Sequence, residues 1–441
     1  MKKLFLLFVL MGLTLSVNAQ SWVVLSTIPA PLFDINSISV VDGTTIWVCG
    51  TAGNVRRSTN GGVNWTNGTN TGLPAQDLYG ISALDAQNCW LGNVSGSIYR
   101  TTDGGTSWTL QFSLAGSFSN GIKMFSPTYG VYTGDPTGVG QPYQMRNTTN
   151  GGTNWINSVN SPIAASEFGV INAWDWTDTS HFWIGSANTI ANATTAKIYR
   201  CSNGFSGTWQ SATVTGVGGS AGLYFQAIGF INATSGMAGS NANNFVKTTD
   251  GGATFQAVTN PAGLTTFAVI NMNGMKDGSN KIRAVTNDGT NTQMWTTTNL
   301  GTTWVLETLP AAANTFGVQH VQFLNASLGF AGGNGGTFYR FGPPVGVNPV
   351  TVAPETFSLE QNYPNPFNPS TKINYSVPTA GNVSIKIYNS VGVEIMTVVD
   401  NNVAAGNYSK SIDMSKFSTG IYFYTMKSGS FSETRKMMLV K

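Results

Sequence analysis

The chain has 441 residues and a formal net charge of +3; 9% of its residues are charged, and it holds 52 glycines and twelve tryptophans. An average soluble protein is about 25% charged. This composition excludes charge-rich disorder, which needs low hydrophobicity and high net charge. It also excludes a nucleic-acid binder, which needs a dense basic patch against phosphates.

In chain order, Met1-Lys2-Lys3 leads an apolar run from Leu4 to Val17, followed by Asn18 and Ala19. A basic start, a short apolar stretch and a small residue at the cut form a secretory signal peptide over residues 1–19. The run is shorter than the roughly 20 residues of a bilayer span. No later stretch is long and apolar enough to span a membrane, so the reading is an exported chain without a transmembrane segment. Cys49, Cys89 and Cys201 are odd in number and match no metal spacing, so they read as free and buried.

From residue 20 to 342 one short turn recurs. Ser58-Thr59-Asn60-Gly61-Gly62-Val63-Asn64-Trp65 is followed by copies centred on Asp103, Asn150, Asn203, Asp250 and Asn299. They end on Trp108, Trp155, Trp209, Phe255 and Trp304, and their centres lie 43, 47, 53, 47 and 49 residues apart. That period suits a four-stranded propeller blade. The Asp or Asn bonds its own backbone, Gly supplies positive φ, and the aromatic residue starts the next strand. First strands share an apolar column, Ile38, Ile81, Ile122, Ile171, Ile228, Ile270 and Val321, one more than the turns. The last blade lacks its outer strand, and Trp22 to Ile28 resembles one. The expected fold is all-β: a seven-bladed propeller closed by the N-terminal strand, with about 46 residues per blade.

These turns resemble the Asp-box (BNR) repeats of sialidase-like propellers. The same repeats occur in xyloglucanases, sortilin-type receptors and photosystem II assembly-factor-like propellers. The resemblance implies the fold and leaves function open, since enzymes and non-enzymes share the repeat.

A Pro, Val and Gly linker over 343–356 leads to alternating strands over 357–441, read as a small Ig-like β-sandwich. Its text runs Asn362-Tyr363-Pro364-Asn365-Pro366-Phe367-Asn368-Pro369-Ser370-Thr371 and later Gly420-Ile421-Tyr422-Phe423-Tyr424. It closely resembles the type A C-terminal sorting domain of type IX secretion substrates. The resemblance implies contact with that machinery through residues 357–441. It also implies passage through the periplasm and across the outer membrane of a Gram-negative cell, tail removal, and anchoring or release.

Chemistry is sparse in the repeat region, which holds 12 basic and 13 acidic residues. Arg57, Arg100, Arg200 and Lys247 occupy one repeated position and read as structural. A sialidase set of three arginines, a Tyr–Glu pair and an acid/base Asp does not assemble. Glycosidases need two facing carboxylates. Positions where first strands begin are Asp34, Asp77, Phe118, Glu167, Tyr224, Thr266 and Gly317, then Asn36, Tyr79, Asn120, Gly169, Gln226, Ala268 and Gln319. Asp34, Asp77, Tyr79, Asn120, Glu167 and Gln226 are the candidate ligand residues, with Asp34 and Asp77 the best pair. Trp176 is the candidate for glycan stacking. His181 and His320 lie on different blades, and Asp277, Asn280 and Asp288 lack EF-hand spacing. No metal or cofactor is expected. The leading expectation is a non-enzymatic surface or secreted propeller binding a glycan or protein. The alternative is a diverged glycoside hydrolase of sialidase-like or xyloglucanase-like type. An assembly-factor role fits poorly with an outward-sorted chain.

Overall fold

The computed structural model describes residues 21–25, 28–164, 167–188, 197–217, 223–310, 317–342, 356–379, 381–403 and 406–440. The expected signal peptide and most of the expected linker lie outside the described residues. The chain falls into two units, residues 1–344 and 345–441.

The first unit is built from separate antiparallel sheets, none closed on itself. Their inner strands are Ile35–Val40, Leu78–Ala83, Ser119–Met124, Glu167–Trp176, Phe225–Phe230, Ala268–Gly274 and Val318–Asn325. Each inner strand packs against the next, and Val318–Asn325 packs against Ile35–Val40. Second strands such as Ile46–Gly50, Cys89–Asn93 and Gly236–Ser240 are buried at every residue, because both faces meet a neighbouring sheet. The core therefore lies between sheets. One cluster joins Trp47, Cys49 and Val55 to Leu78, Leu91 and Trp108; another joins Ile38, Val48 and Trp65 to Phe330 and Phe338. Cys49, Cys89 and Cys201 are free and buried.

Ser21–Val24 pairs antiparallel with Phe338–Gly342, with Trp22 opposite Phe341. Trp22 packs its ring 5.6 Å from Phe323 and donates Nε1–H to Glu307 at 2.8 Å. Glu307 also accepts from Arg283 at 2.7 Å. Glu307 is thus tied into structure. One strand was not expected: Thr213–Thr215 runs parallel to Thr254–Ala257 and widens that sheet to five.

The turn motif works as the residues dictate. Thr101 Oγ1 accepts the Gly105 N–H at 3.0 Å, and Asp103 accepts from the Ser107 N–H at 3.0 Å. Ser58 with Asn60, Thr148 with Asn150, Thr248 with Asp250 and Thr297 with Asn299 repeat the pattern. Gly61 and Gly62 sit at φ 72 and 87, where a Cβ is strained. Trp65, Trp108, Trp155, Trp209 and Phe255 are buried, while Trp304 is half-buried. Asn203 stands apart: with no hydroxyl at 201, the Cys201 thiol donates to it at 3.2 Å. Two of the repeated arginines, Arg57 and Arg100, reach the next sheet, while Arg200 bonds Gln210 of its own. Arg100 lies over the Trp90 ring and donates to the Gly151 carbonyl at 3.2 Å.

Register corrects the apolar column in two places. Ile38, Ile81, Ile122, Ile228 and Val321 face Val48, Leu91, Tyr132, Ala238 and Ala331. The matching residues of the fourth and sixth sheets are Trp174 and Met272, facing Ile184 and Ala284. Ile171 and Ile270 instead sit where the pairing breaks. Every inner strand carries such a break: at Asn36, Tyr79, Asn120, Val170 to Ala173, Gln226, Ile270 and Gln319. A bulge leaves its residue unpaired and turns the side chain aside. The residue after the column caps the next inner edge. Ser39 accepts from the Ala83 N–H, Ser82 from Met124, Asp175 from Phe230, and Gln322 from Val40. These side chains satisfy backbone donors that an exposed strand edge leaves open.

The second unit stacks two sheets over one core. One orders Ser358–Leu359, Ser370–Val377 and Gly406–Asp413; the other orders Glu394–Val403, Gly381–Tyr388, Gly420–Ser428 and Phe431–Leu439. Its two motif stretches touch. The Asn362 N–H donates to Tyr424 Oη at 2.7 Å, and that hydroxyl donates to the Glu360 carbonyl. Buried Asn362 donates Nδ2 to Thr371 Oγ1 at 3.0 Å, and Phe367 is buried beside them. The polar motif is therefore a structural clasp.

Candidate functional site

The bulged residues converge. Asn36, Tyr79, Asn120, Asn172, Gln226, Ile270 and Gln319 line one cavity of about 710 Å3 at the end where the inner strands begin. Asp34, Phe118, Asp135, Phe168, Tyr224 and Asn334 join them. Tyr79 and Phe118 form a tilted ring pair with centroids 4.8 Å apart.

Four candidate residues therefore meet here: Asp34, Tyr79, Asn120 and Gln226. Three do not line the cavity. Asp77 accepts from the Ala52 N–H at 2.9 Å and from the Tyr79 hydroxyl at 3.4 Å, which makes it a loop cap and breaks the proposed pairing with Asp34. Asp34 accepts from the Gly335 N–H at 2.8 Å in the same manner, yet still borders the cavity. Glu167 is buried in an ion pair with Lys197 at 2.5 Å. Trp176 is half-buried, with its ring 4.7 Å from Trp174 and 6.2 Å from Phe125. Packing, not display, explains its place.

Asp135 was missed. It follows Gly134 at the end of a second strand, and its counterparts Thr51, Val94 and Asn241 donate the same backbone bond to first-strand entries. That position also holds the cavity residue Asn334, so the period carried the signal. Asp135 Oδ1 accepts from Asn120 Nδ2 at 2.6 Å and from the Gly169 N–H at 2.8 Å. Burial pushes its pKa up to about 6, against those two hydrogen bonds. A Cβ at Gly169 would stand 2.1 Å from Asn120 Nδ2, so only glycine admits this pair.

A second cavity of about 70 Å3 shares Tyr79, Asn120 and Asn172 with the first and is lined by Lys123, Asp175, Trp176, His320 and Gln322 among others. Burial lowers the Lys123 pKa to about 8, and Lys276 adds repulsion. Its Nζ lies 5.3 Å from the Trp176 ring centre. His320 Nδ1 accepts the Ile38 N–H at 3.0 Å, which places the ring proton on Nε2; burial lowers its pKa to about 4. Asp175 pairs with Lys276 at 2.8 Å, although burial raises its pKa. Among the described residues no three His, Cys, Asp or Glu side chains cluster to hold a metal. The His181 ring sets Nδ1 2.9 Å from an Asp178 carboxylate oxygen and stacks with its centroid 6.3 Å from that of Trp183.

Residues 361–441 match the family described as secretion system C-terminal sorting domain. The second unit is that sorting domain. The chain is exported by type IX secretion, to the cell surface or beyond, and no helix among the described residues is long and apolar enough to cross a membrane. Ahead of the sorting domain, residues 21–129 match the family described as photosynthesis system II assembly factor YCF48. No curated protein matches.

Among solved structures, YCF48 bound to D1 peptide is 16% identical, with 74% of this chain and 96% of that chain covered and a TM-score of 0.56. PorZ, a surface component of the type IX secretion system of Porphyromonas gingivalis, is 13% identical over 94% of this chain and 61% of that one, at 0.51. A GH74 xyloglucanase from Xanthomonas campestris is 11% identical over 73% and 53%, at 0.52. At these identities the likeness shows a β-propeller and no more.

Proposed function

We propose that this exported β-propeller binds a glycan or protein partner at the mouth of its central channel, and performs no catalysis. The observation that carries the reading is the convergence of the bulges: residues left out of the strand pairing on successive inner strands meet in one 710 Å3 cavity. In this reading the seven sheets are blades of one ring. Ser21–Val24 completes the last blade, and Gln322 and Asp34 tie the last blade to the first. Residues 1–19 are a signal peptide, residues 343–356 a linker, and the tail is removed at the outer membrane.

The test is retention of the full chain on glycan and surface-protein arrays. Tyr79→Ala and Gln226→Ala should weaken retention about tenfold, as for lost anchors, while Trp176→Ala should leave it unchanged. Retention that ignores both mouth variants sinks the reading. One observation keeps the hydrolase alternative in view: Asp34 and Asp135 share the cavity, and a raised carboxyl pKa suits a general acid. Glycoside turnover lost in both Asp34→Asn and Asp135→Asn would replace binding with hydrolysis.

A further inference from the structure

We infer that the mouth cavity receives a primary ammonium group, supplied by a lysine side chain or a free N-terminus of a partner polypeptide. The inference rests on the binding reading above and names the chemistry of the group bound.

The first support is hydrogen-bond polarity. Asn120, a cavity side chain 4% exposed, spends its Nδ2 on Asp135, which fixes the amide; its Oδ1 is buried behind the cavity surface without a partner, and there it adds partial negative charge rather than a contact. Asn36 likewise spends its Nδ2 on the Leu78 carbonyl at 3.0 Å, leaving its oxygen. Asp135 takes both its bonds on Oδ1 and Asp34 takes its bond on Oδ1, which leaves each Oδ2 for a ligand. These four side chains offer acceptors or negative potential, while the amides of Asn172, Gln226, Gln319 and Asn334 can donate or accept. An ammonium brings three donors and no acceptor.

The second support is charge. Among the described residues two carboxylates line the cavity, and no Lys, Arg or His does. Lys197, the cation near Glu167, is already paired with it. Segments 165–166, 189–196, 218–222 and 311–316, outside the described residues, contain no charged residue. An anionic sugar or phosphate would set like charges and acceptors face to face. A neutral sugar would satisfy the acceptors and leave the carboxylates uncompensated. An ammonium answers both, through charge-assisted bonds that are roughly twice as strong as neutral ones.

The third support is the aromatic wall. Tyr79, Phe118 and Tyr224 border the same space, and ring faces attract cations. The raised pKa of Asp135 agrees, since its burial penalty is one that a bound cation offsets.

The test uses the full chain and four immobilised probes. One is an N-acetylated pentapeptide amide with one lysine among glycines. The second is a glycine pentapeptide amide with a free N-terminus. The third is the lysine probe with its side chain acetylated, and the fourth is a panel of neutral and uronic oligosaccharides. Binding of the first or second probe, lost about tenfold or more on acetylation, is the expected result, and it also tells side chain from N-terminus. Asp135→Asn and, separately, Asp34→Asn should each cost about tenfold; either carboxamide still accepts the backbone N–H bonds. Equal binding of the acetylated probe overturns the inference. So does sugar binding that depends on Tyr79 and Gln226 in the absence of amine binding; that outcome leaves the binding reading standing. If neither amine nor sugar is retained, or no retention changes in any mouth variant, both fall.

Discussion

At the residue scale, two kinds of aspartate separate by environment. Asp103 and Asp250 are exposed turn acids, and hydrogen bonds from Ser107 and Thr254 hold their pKa values at about 2, below the ordinary 3.8. A depressed carboxyl stabilises the fold above its unfolded pKa and loses that contribution as pH falls through the folded one. Between pH 4 and 2 the melting temperature should therefore fall, and Asp103→Asn should make that fall shallower. An unchanged slope would contradict the turn's role. Asp135 has the opposite sign: its raised pKa means that ionisation between about pH 4 and 6 costs stability, so Asp135→Asn should melt higher than the parent at pH 7.5. The turn acids were legible in sequence, because Asp or Asn before paired Gly has one local meaning. Asp77 was misread because an entry-position carboxylate looks the same whether it caps Ala52 or faces a ligand.

At the element scale, strands and turns were legible by period, and the bulges were not. A bulge adds a residue without altering apolar alternation on either side. Aligning on isoleucine therefore placed Ile171 and Ile270 in the core column that Trp174 and Met272 hold. The same slip assigned Ala268 to the mouth in place of Ile270, and passed over Val170 to Asn172 beside Gly169, which does line the cavity. The first described strand is a stronger case. Trp22 is 5% exposed, wedged against Phe323 and Phe341, and bonded to Glu307. Trp22→Ala removes a large buried side chain, at about 3–5 kcal/mol, and leaves Glu307 short of a donor. Calorimetry should show melting several degrees lower; an unchanged melt would mean that the pairing with Phe338–Gly342 contributes nothing.

At the scale of the whole molecule, the low charge follows from construction. Sheets buried on both faces and joined by Gly turns need few charges, and the repeat region holds 12 basic and 13 acidic residues. The sorting domain was legible because its clasp is local in sequence at both ends. Asn362, 1% exposed, reads as a motif letter and acts as the bond between the Pro-rich entry and Tyr424. Asn362→Ala should cost about 1–3 kcal/mol of that domain and retain the chain in the periplasm. Normal appearance outside the cell would show that export ignores the clasp.

The mouth's function was only half legible, since Asn120 and Asp135 come together from different strands of one sheet. The Asn120–Asp135 pair has two measurable consequences. Thermal melts of the parent and the Asp135→Asn chain at pH 7.5, with and without the lysine pentapeptide, read both of its consequences. Ligand should raise the parent's melting temperature, since a ligand bound only to the native state stabilises it. Asp135→Asn should start higher and need about ten times more ligand for the same rise. A variant that melts lower than the parent, or that responds to ligand as the parent does, contradicts this expectation.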